Sequence, residues 1–228
     1  MNTAPYTAII PAYNAAAFIG DTIGSMLAQT VPPAQIIVVD DGSTDNTADT
    51  VAALGDVVEL VRQPNGGAGS ATTRGFAMVA TPFIATLDAD DVWVQGKIER
   101  QFAYLDAHPE IAAVFAQMEQ FEGSPPATAG VSKAVDNWGR STMLIRTSVA
   151  QANGAVTDPP GAGDMVDWIA RLREAGHQLA MLPEVLAFRR VHADSMTFRG
   201  RQSVAAGYLH TAREAMRRRR ERAAKGEP

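Results

Sequence analysis

Cysteine is missing from the 228-residue chain and histidine occurs only four times. Without thiols there is no disulfide framework, no thiolate metal site and no cysteine nucleophile. Long apolar runs are missing as well. None approaches the roughly 20 residues that span a bilayer, and the N-terminus shows no charged-then-apolar leader. These absences predict a soluble, cytoplasmic protein. The net charge of −5 hides an asymmetry: residues 213–228 hold seven basic and three acidic side chains, a net of +4, which leaves −9 on residues 1–212. An acidic body excludes a general nucleic-acid binder, whose folded domain presents a basic face. The terminal run Arg217-Arg218-Arg219-Arg220 follows an apolar helical face of Val204, Tyr208, Leu209, Ala212 and Met216. That combination adds a weak peripheral contact with the inner face of an anionic membrane to the expectations.

What is abundant is acid in one place. Leu87-Asp88-Ala89-Asp90-Asp91-Val92-Trp93 follows directly on the apolar run 83–87, which has the length of a buried strand. The acids then stand at the strand's carboxyl end, where open α/β sheets bind ligands. Like charges this close repel unless a cation joins them, and carboxylates with phosphate oxygens suit Mg²⁺ or Mn²⁺. A solvated turn capping the next helix is the plainer alternative.

In chain order, strands are expected at 6–10, 36–39, 57–61 and 83–87, with helices between them at 18–27, through Val51 and Leu54, and through Met78. Ser43 or Asp45 is positioned to cap the second helix. This βαβαβαβ alternation of fully apolar strands predicts a parallel sheet covered on both faces. Pro11-Ala12-Tyr13-Asn14, Asp40-Asp41-Gly42-Ser43 and Pro64-Asn65-Gly66-Gly67 end successive strands on one edge. Later come a helix at 97–107, a strand at 112–118, a loop at 123–130 and a strand at 142–145. A helix opening at Asp164, with Val166, Ile169, Ala170 and Leu172 on its apolar face, is followed by short strands at 178–182 and 185–188. One domain is expected over 1–198, in two halves at 1–118 and 119–198, then a C-terminal helix and basic tail over 199–228.

These ordered motifs resemble the nucleotide-sugar-dependent family 2 glycosyltransferases of the GT-A fold. The likeness runs from about residue 6 to 198. It is carried by Ile10-Pro11-Ala12-Tyr13-Asn14, Val38-Val39-Asp40-Asp41-Gly42-Ser43-Thr44-Asp45, Asn65-Gly66-Gly67, Leu87-Asp88-Ala89-Asp90-Asp91 and an acidic helix before Arg171-Leu172. The resemblance implies a Rossmann-like single domain with a mainly parallel sheet, its half at 1–118 binding the nucleotide sugar and its half at 119–198 facing the acceptor. It also implies an inverting, metal-dependent transfer from a nucleotide-diphosphate donor, a UDP-sugar above all, to an unidentified acceptor. Two departures stand out. Thr73-Arg74-Gly75 replaces a common Ala-Arg-Asn, a change expected to touch packing. A frequent Glu-Asp pair becomes the separated Asp164 and Asp167, which leaves the base open between them.

By resemblance, Asp88 and Asp90 form the Asp-x-Asp motif around Ala89, with Asp90 on the metal and Asp88 on the ribose or the metal's water. Asp91 would meet a sugar hydroxyl. Asp40 or Asp41 would accept a hydrogen bond from the base, and Tyr13 would stack on it beside Pro11 and Asn14. Asn65 and Gly66 let the backbone approach the donor, and Arg74 would reach the diphosphate or an acid of the cluster. Arg190 and His192 match an Arg-x-His segment, the Arg for phosphate and the His for the metal. Other readings compete: a dinucleotide enzyme built on Gly67-Ala68-Gly69, a silent nucleotide-sugar-binding protein, and a nucleotide-sugar hydrolase. The first puts its glycines on the wrong turn.

Overall fold

The structure, a computed structural model, describes residues 4–157, 163–193, 211, 213–218 and 220–221. The four apolar runs form β1 (Tyr6–Ala12), β2 (Gln35–Asp40), β3 (Val58–Arg62) and β4 (Phe83–Thr86). They pair in parallel in the order β3-β2-β1-β4. Between them lie α1 (Ile19–Leu27), α2 (Thr47–Ala52) and α3 (Ala68–Met78). The chain steps outward from β1 to β3 and then returns across β1 to β4. The carboxyl ends of β1 and β4 therefore flank a topological switch point, where such sheets hold ligands.

The sheet continues without a break through the second half as β8-β6-β9-β5, with β7 on β6. Its remaining elements are β5 (Val92–Trp93), α4 (Lys97–Ala107), β6 (Ile111–Phe121), β7 (Val135–Asn137), β8 (Leu144–Arg146), α5 (Thr147–Ala152), α6 (Asp164–Glu174) and β9 (Gln178–Arg190). β8 runs antiparallel to β4 and β6, whereas β9 runs parallel to β6. Alternation along the strands feeds two cores. Ile10 and Val38 face a cluster with Ile19, Ile23 and Met26 of α1 and Phe102 of α4. Ile9, Ile37 and Val39 face the other, with Phe76 of α3 and Trp168 and Leu172 of α6. Helices thus cover both faces, as the apolar strands demand.

Several expectations change in detail. Val57 is 53% exposed and lies in the 3₁₀ turn before β3. Thr142 closes another 3₁₀ turn, Arg140–Thr142, so β8 starts two residues later than expected. The strands expected at 178–182 and 185–188 are one strand. Pairing with β6 jumps from Ala116↔Leu182 to Gln117↔Val185, leaving Pro183 and Glu184 as a bulge that tolerates the missing N–H. The buried stripe of α6 is Met165, Trp168, Ile169 and Leu172, and Val166 is exposed. The i, i+3, i+4, i+7 spacing starts one residue earlier than expected. Residues 213–218 are helical, and Arg218 pairs with Asp167 and Glu174 of α6. Val204, Tyr208, Leu209, Ala212 and Arg219, the boundary at 198, and Pro159 to Ala162 before α6 lie outside the described residues.

Candidate active site

The loops after β1, β2 and β3 are tied into one surface. Asn14 has φ +50°, the only positive φ of a non-glycine among the described residues. A short amide that bonds locally tolerates that conformation. Its Oδ1 accepts the Thr44 N–H at 2.8 Å, and its own N–H donates to Ser43 Oγ at 2.9 Å. Tyr13 stands beside it, 52% exposed. Pro11 is inside β1, buried opposite Val39, and shapes the strand.

Asp40 and Asp41 are buried and internally engaged. Asp40 accepts from Ser43 N–H and from Arg62 Nε, at 3.1 and 2.9 Å. Asp41 accepts from Gln63 Nε2 and Gly66 N–H on one oxygen and from Gly67 N–H on the other, all at 2.7–2.9 Å. The Asn65 amide returns a bond to the Asp41 carbonyl at 3.0 Å. One carboxylate therefore folds the turn that opens α3, with Gly67 at φ +93°, the left-handed region that favours glycine. Arg74 is exposed, donates to the Arg62 carbonyl at 3.2 Å, and does not meet the acid cluster.

The cluster after β4 is held from below. Thr22 Oγ1 of α1 lies 2.8 Å from the carbonyls of both Ala89 and Asp91. Asp91 turns inward, 3% exposed, and accepts from Ser141 Oγ and from Arg190 N–H. Burial, with Asp90 and Asp88 adding, pushes its carboxyl well above the ordinary range. Asp88 bonds Arg140 Nη1 at 2.7 Å. Burial also raises Asp88, Arg140 opposes it, and Asp90 and Asp164 reinforce it. Since 40% of its side chain meets solvent, water screens much of that push. Asp90 Oδ2 lies 3.0 Å from His192 Nε2, whose ring packs on Phe18 at 4.5 Å.

Arg190 is buried beneath Asp90. Its Nε donates to the Asp90 carbonyl at 3.1 Å, Nη1 to the Gly123 carbonyl and Nη2 to Asp21 at 2.8 Å. Its guanidinium lies 5.1 and 4.7 Å from the ring centroids of Phe18 and Phe121. Among the described residues, no three of His, Asp and Glu converge on a ready-made metal cage. The Asp90–His192 pair is the arrangement in which a cation would gain two protein ligands and take the rest from phosphate and water.

Of the two late acids only Asp164 reaches the cluster. Arg140 Nη2 donates to its Oδ2, so one guanidinium joins Asp164 to Asp88. Asp167 pairs instead with Arg171 and Arg218. Arg140, Ser141, Gln63 and Asp21 are site residues that sequence reasoning missed. The acids' need for a cation was a signal pointing to some arginine. Nothing in the chain separated Arg140 from Arg146, Arg171 or Arg173.

Comparison with known proteins bears on the family and the fold. The family model "Glycosyl transferase family 2" matches residues 7–154. An uncharacterised glycosyltransferase of Nostoc sp. is 31% identical over 159 residues, 68% of this chain and 48% of that protein. The chain thus spans about half the length of that relative. The fold is similar to Staphylococcus aureus TarS 1–349 in complex with UDP-GlcNAc, with a TM-score of 0.69 at 18% identity over 85% of this chain and 60% of that one. It is also similar to the mannosyltransferase PcManGT of Pyrobaculum calidifontis in complex with GDP-Man and Mn²⁺. There the TM-score is 0.73 at 18% identity, over 94% of this chain and 64% of that one.

Proposed function

The chain belongs to glycosyl transferase family 2, and from that premise we propose that it moves a sugar from a nucleotide-diphosphate donor, a UDP-sugar, to an acceptor hydroxyl with inversion. The observation that carries this reading is the pairing, at the switch point of the sheet, of an Asp90–His192 couple with an Asp88–Arg140–Asp164 bridge. The first suits a cation on the diphosphate, and the second brings a carboxylate beside it.

In this reading the exposed Tyr13 ring stacks on the base, and the Asp40 and Asp41 loops shape its pocket. Asp90 and His192 would hold Mn²⁺ or Mg²⁺, and Asp88 would meet the ribose or a water on that cation. Such a cation stabilises the negative charge that gathers on the departing diphosphate. Asp164 takes the acceptor's proton as the acceptor oxygen bonds to the anomeric carbon. The bond from that carbon to the diphosphate breaks, and its electron pair leaves with the nucleotide. Asp164 is preferred to Asp167 because Asp167 is neutralised by Arg171 and Arg218 away from the cluster. The acceptor approaches from the side of α6 and the 123–130 loop. No described helix is long and apolar enough to cross a membrane.

The test is a panel of nucleotide sugars scored for nucleotide release with Mn²⁺ or Mg²⁺, with and without candidate acceptors. Asp90→Ala should abolish metal-dependent turnover while the protein stays folded by circular dichroism. Undiminished turnover in that variant would remove the metal assignment. Sugar release at one rate, whatever acceptor is supplied, would turn the assignment from transferase to hydrolase.

A further inference from the structure

Arg140 is a buried permanent charge, 5% exposed. It sits on the 3₁₀ turn between β7 and β8, and each of its three nitrogens is engaged. Nε donates to Thr72 Oγ1 at 3.0 Å, Nη1 to Asp88 at 2.7 Å and Nη2 to Asp164. Burial disfavours the cation, but the two carboxylates outweigh it and hold the guanidinium above its ordinary value. The turn itself is fixed from three sides. The Arg140 carbonyl accepts from Thr86 Oγ1, that of Ser141 from Trp93 Nε1 and that of Thr142 from Gln101 Nε2, at 2.7, 2.9 and 2.7 Å. The two carboxylates it joins come from the loop after β4 in the first half and from the start of α6 in the second. Without the cation they would repel each other.

We infer that Arg140 is a positioning residue for the transfer step: its fork sets the spacing between Asp88, on the donor side, and Asp164, the base. Only Oδ2 of Asp164 is engaged among the described residues, which leaves Oδ1 for the acceptor proton. The inference rests on the functional reading above. A planar guanidinium spans two carboxylates and a hydroxyl at fixed angles, whereas a lysine ammonium keeps the charge but not the fork. An error of about 1 Å in a reacting group costs on the order of 100-fold in rate.

The experiment measures UDP release from a UDP-hexose with Mn²⁺, and binding of UDP with Mn²⁺, for Arg140→Lys, Asp164→Asn and the double variant. Arg140→Lys should lower kcat on the order of 100-fold while donor KM and UDP binding move by less than about threefold. Because Arg140 acts through Asp164, the double variant should be no slower than Asp164→Asn alone. Thr72→Val keeps the charge and removes only the hydroxyl that aims it. That variant should lose kcat on the order of tenfold with KM unchanged, and it serves if Arg140→Lys misfolds. Multiplicative losses in the double variant overturn the coupling and leave the base intact, as does weaker UDP binding in step with kcat. Wild-type kcat in Asp164→Asn removes the base itself, and the inference falls with it.

Discussion

Asp41 shows how one side chain does the work of a loop. Its two oxygens accept three hydrogen bonds, two of them from the backbone of Gly66 and Gly67, and the carboxylate itself is buried while its donors lie nearer the surface. A hydrogen bond to a charged group is worth about 1.5–3 kcal/mol, and less where water can take the acceptor's place. Asp41→Ala should therefore lower stability by roughly 2–4 kcal/mol and weaken nucleotide binding because the turn that opens α3 loosens. Urea midpoints and UDP titrations check both, and a variant as stable as the parent would show that the turn holds itself. Asp41 was legible as a turn residue because acid-acid-glycine at a strand's end is a loop signature. Its task was not, because the donors that occupy it come from residues 63–67, and sequence spacing does not say which N–H points at which oxygen. Arg190 carries the same lesson. Its place beside His192 was readable, but not its burial between Phe18 and Phe121.

At the level of elements, legibility followed burial. β1, β2 and β4 are buried along nearly their whole length and read as unbroken apolar runs. β9 was harder, because Pro183-Glu184 interrupts the run and only the partner strand shows that the interruption is a bulge. α6 was readable as a helix but not in its facing, since Met165 and Val166 are equally apolar and only Met165 meets the core. The packing of α3 on β1 gives the Gly75 departure a cause. A Cβ on Gly75 would lie 2.6 Å from Ile9 Cγ2, closer than carbon atoms approach, so the helix rests on the strand at this point. Gly75→Ala should cost about 1–3 kcal/mol as α3 is lifted from the sheet, and Gly75→Asn should cost more. Helix propensity runs the other way, favouring alanine by about 1 kcal/mol. A thermal melt with unchanged or raised midpoint in Gly75→Ala would mean that Ile9 yields without strain.

On the scale of the whole molecule, the two halves share a buried polar knot, and its charge makes stability depend on pH. Lys97 is fully buried, donates to Gln101 Oε1 at 2.7 Å and lies 4.4 Å over the Trp93 ring. Gln101 in turn donates to the carbonyls of Val114 and Thr142, so the knot binds α4 to β6 and to the turn that carries Arg140. Burial pushes the Lys97 ammonium well below the ordinary lysine value of 10.5. In the window between the lowered folded value and 10.5 the unfolded chain holds more protons than the native one, so stability rises with pH there. Below the folded value the charged lysine sits in the core and that gain is gone. Burial moves the Tyr6 hydroxyl upward, so above its ordinary value of 10.0 it works in the opposite direction, and the lysine effect is read below that pH. Of two pH values inside that window and below 10.0, wild-type protein should therefore be more stable at the higher, by at most about 1.4 kcal/mol per pH unit. Lys97→Met, which keeps the volume and drops the charge, should lose that lysine-specific gain. Paired urea titrations at the two pH values read the difference directly, and parallel pH dependence in the two proteins would mean that Lys97 stays charged throughout. The donor site is not touched by this substitution. Yet Gln101 would keep its bonds to Val114 and Thr142 while losing its lysine, so the amide alone would go on tying α4 to the turn that carries Arg140.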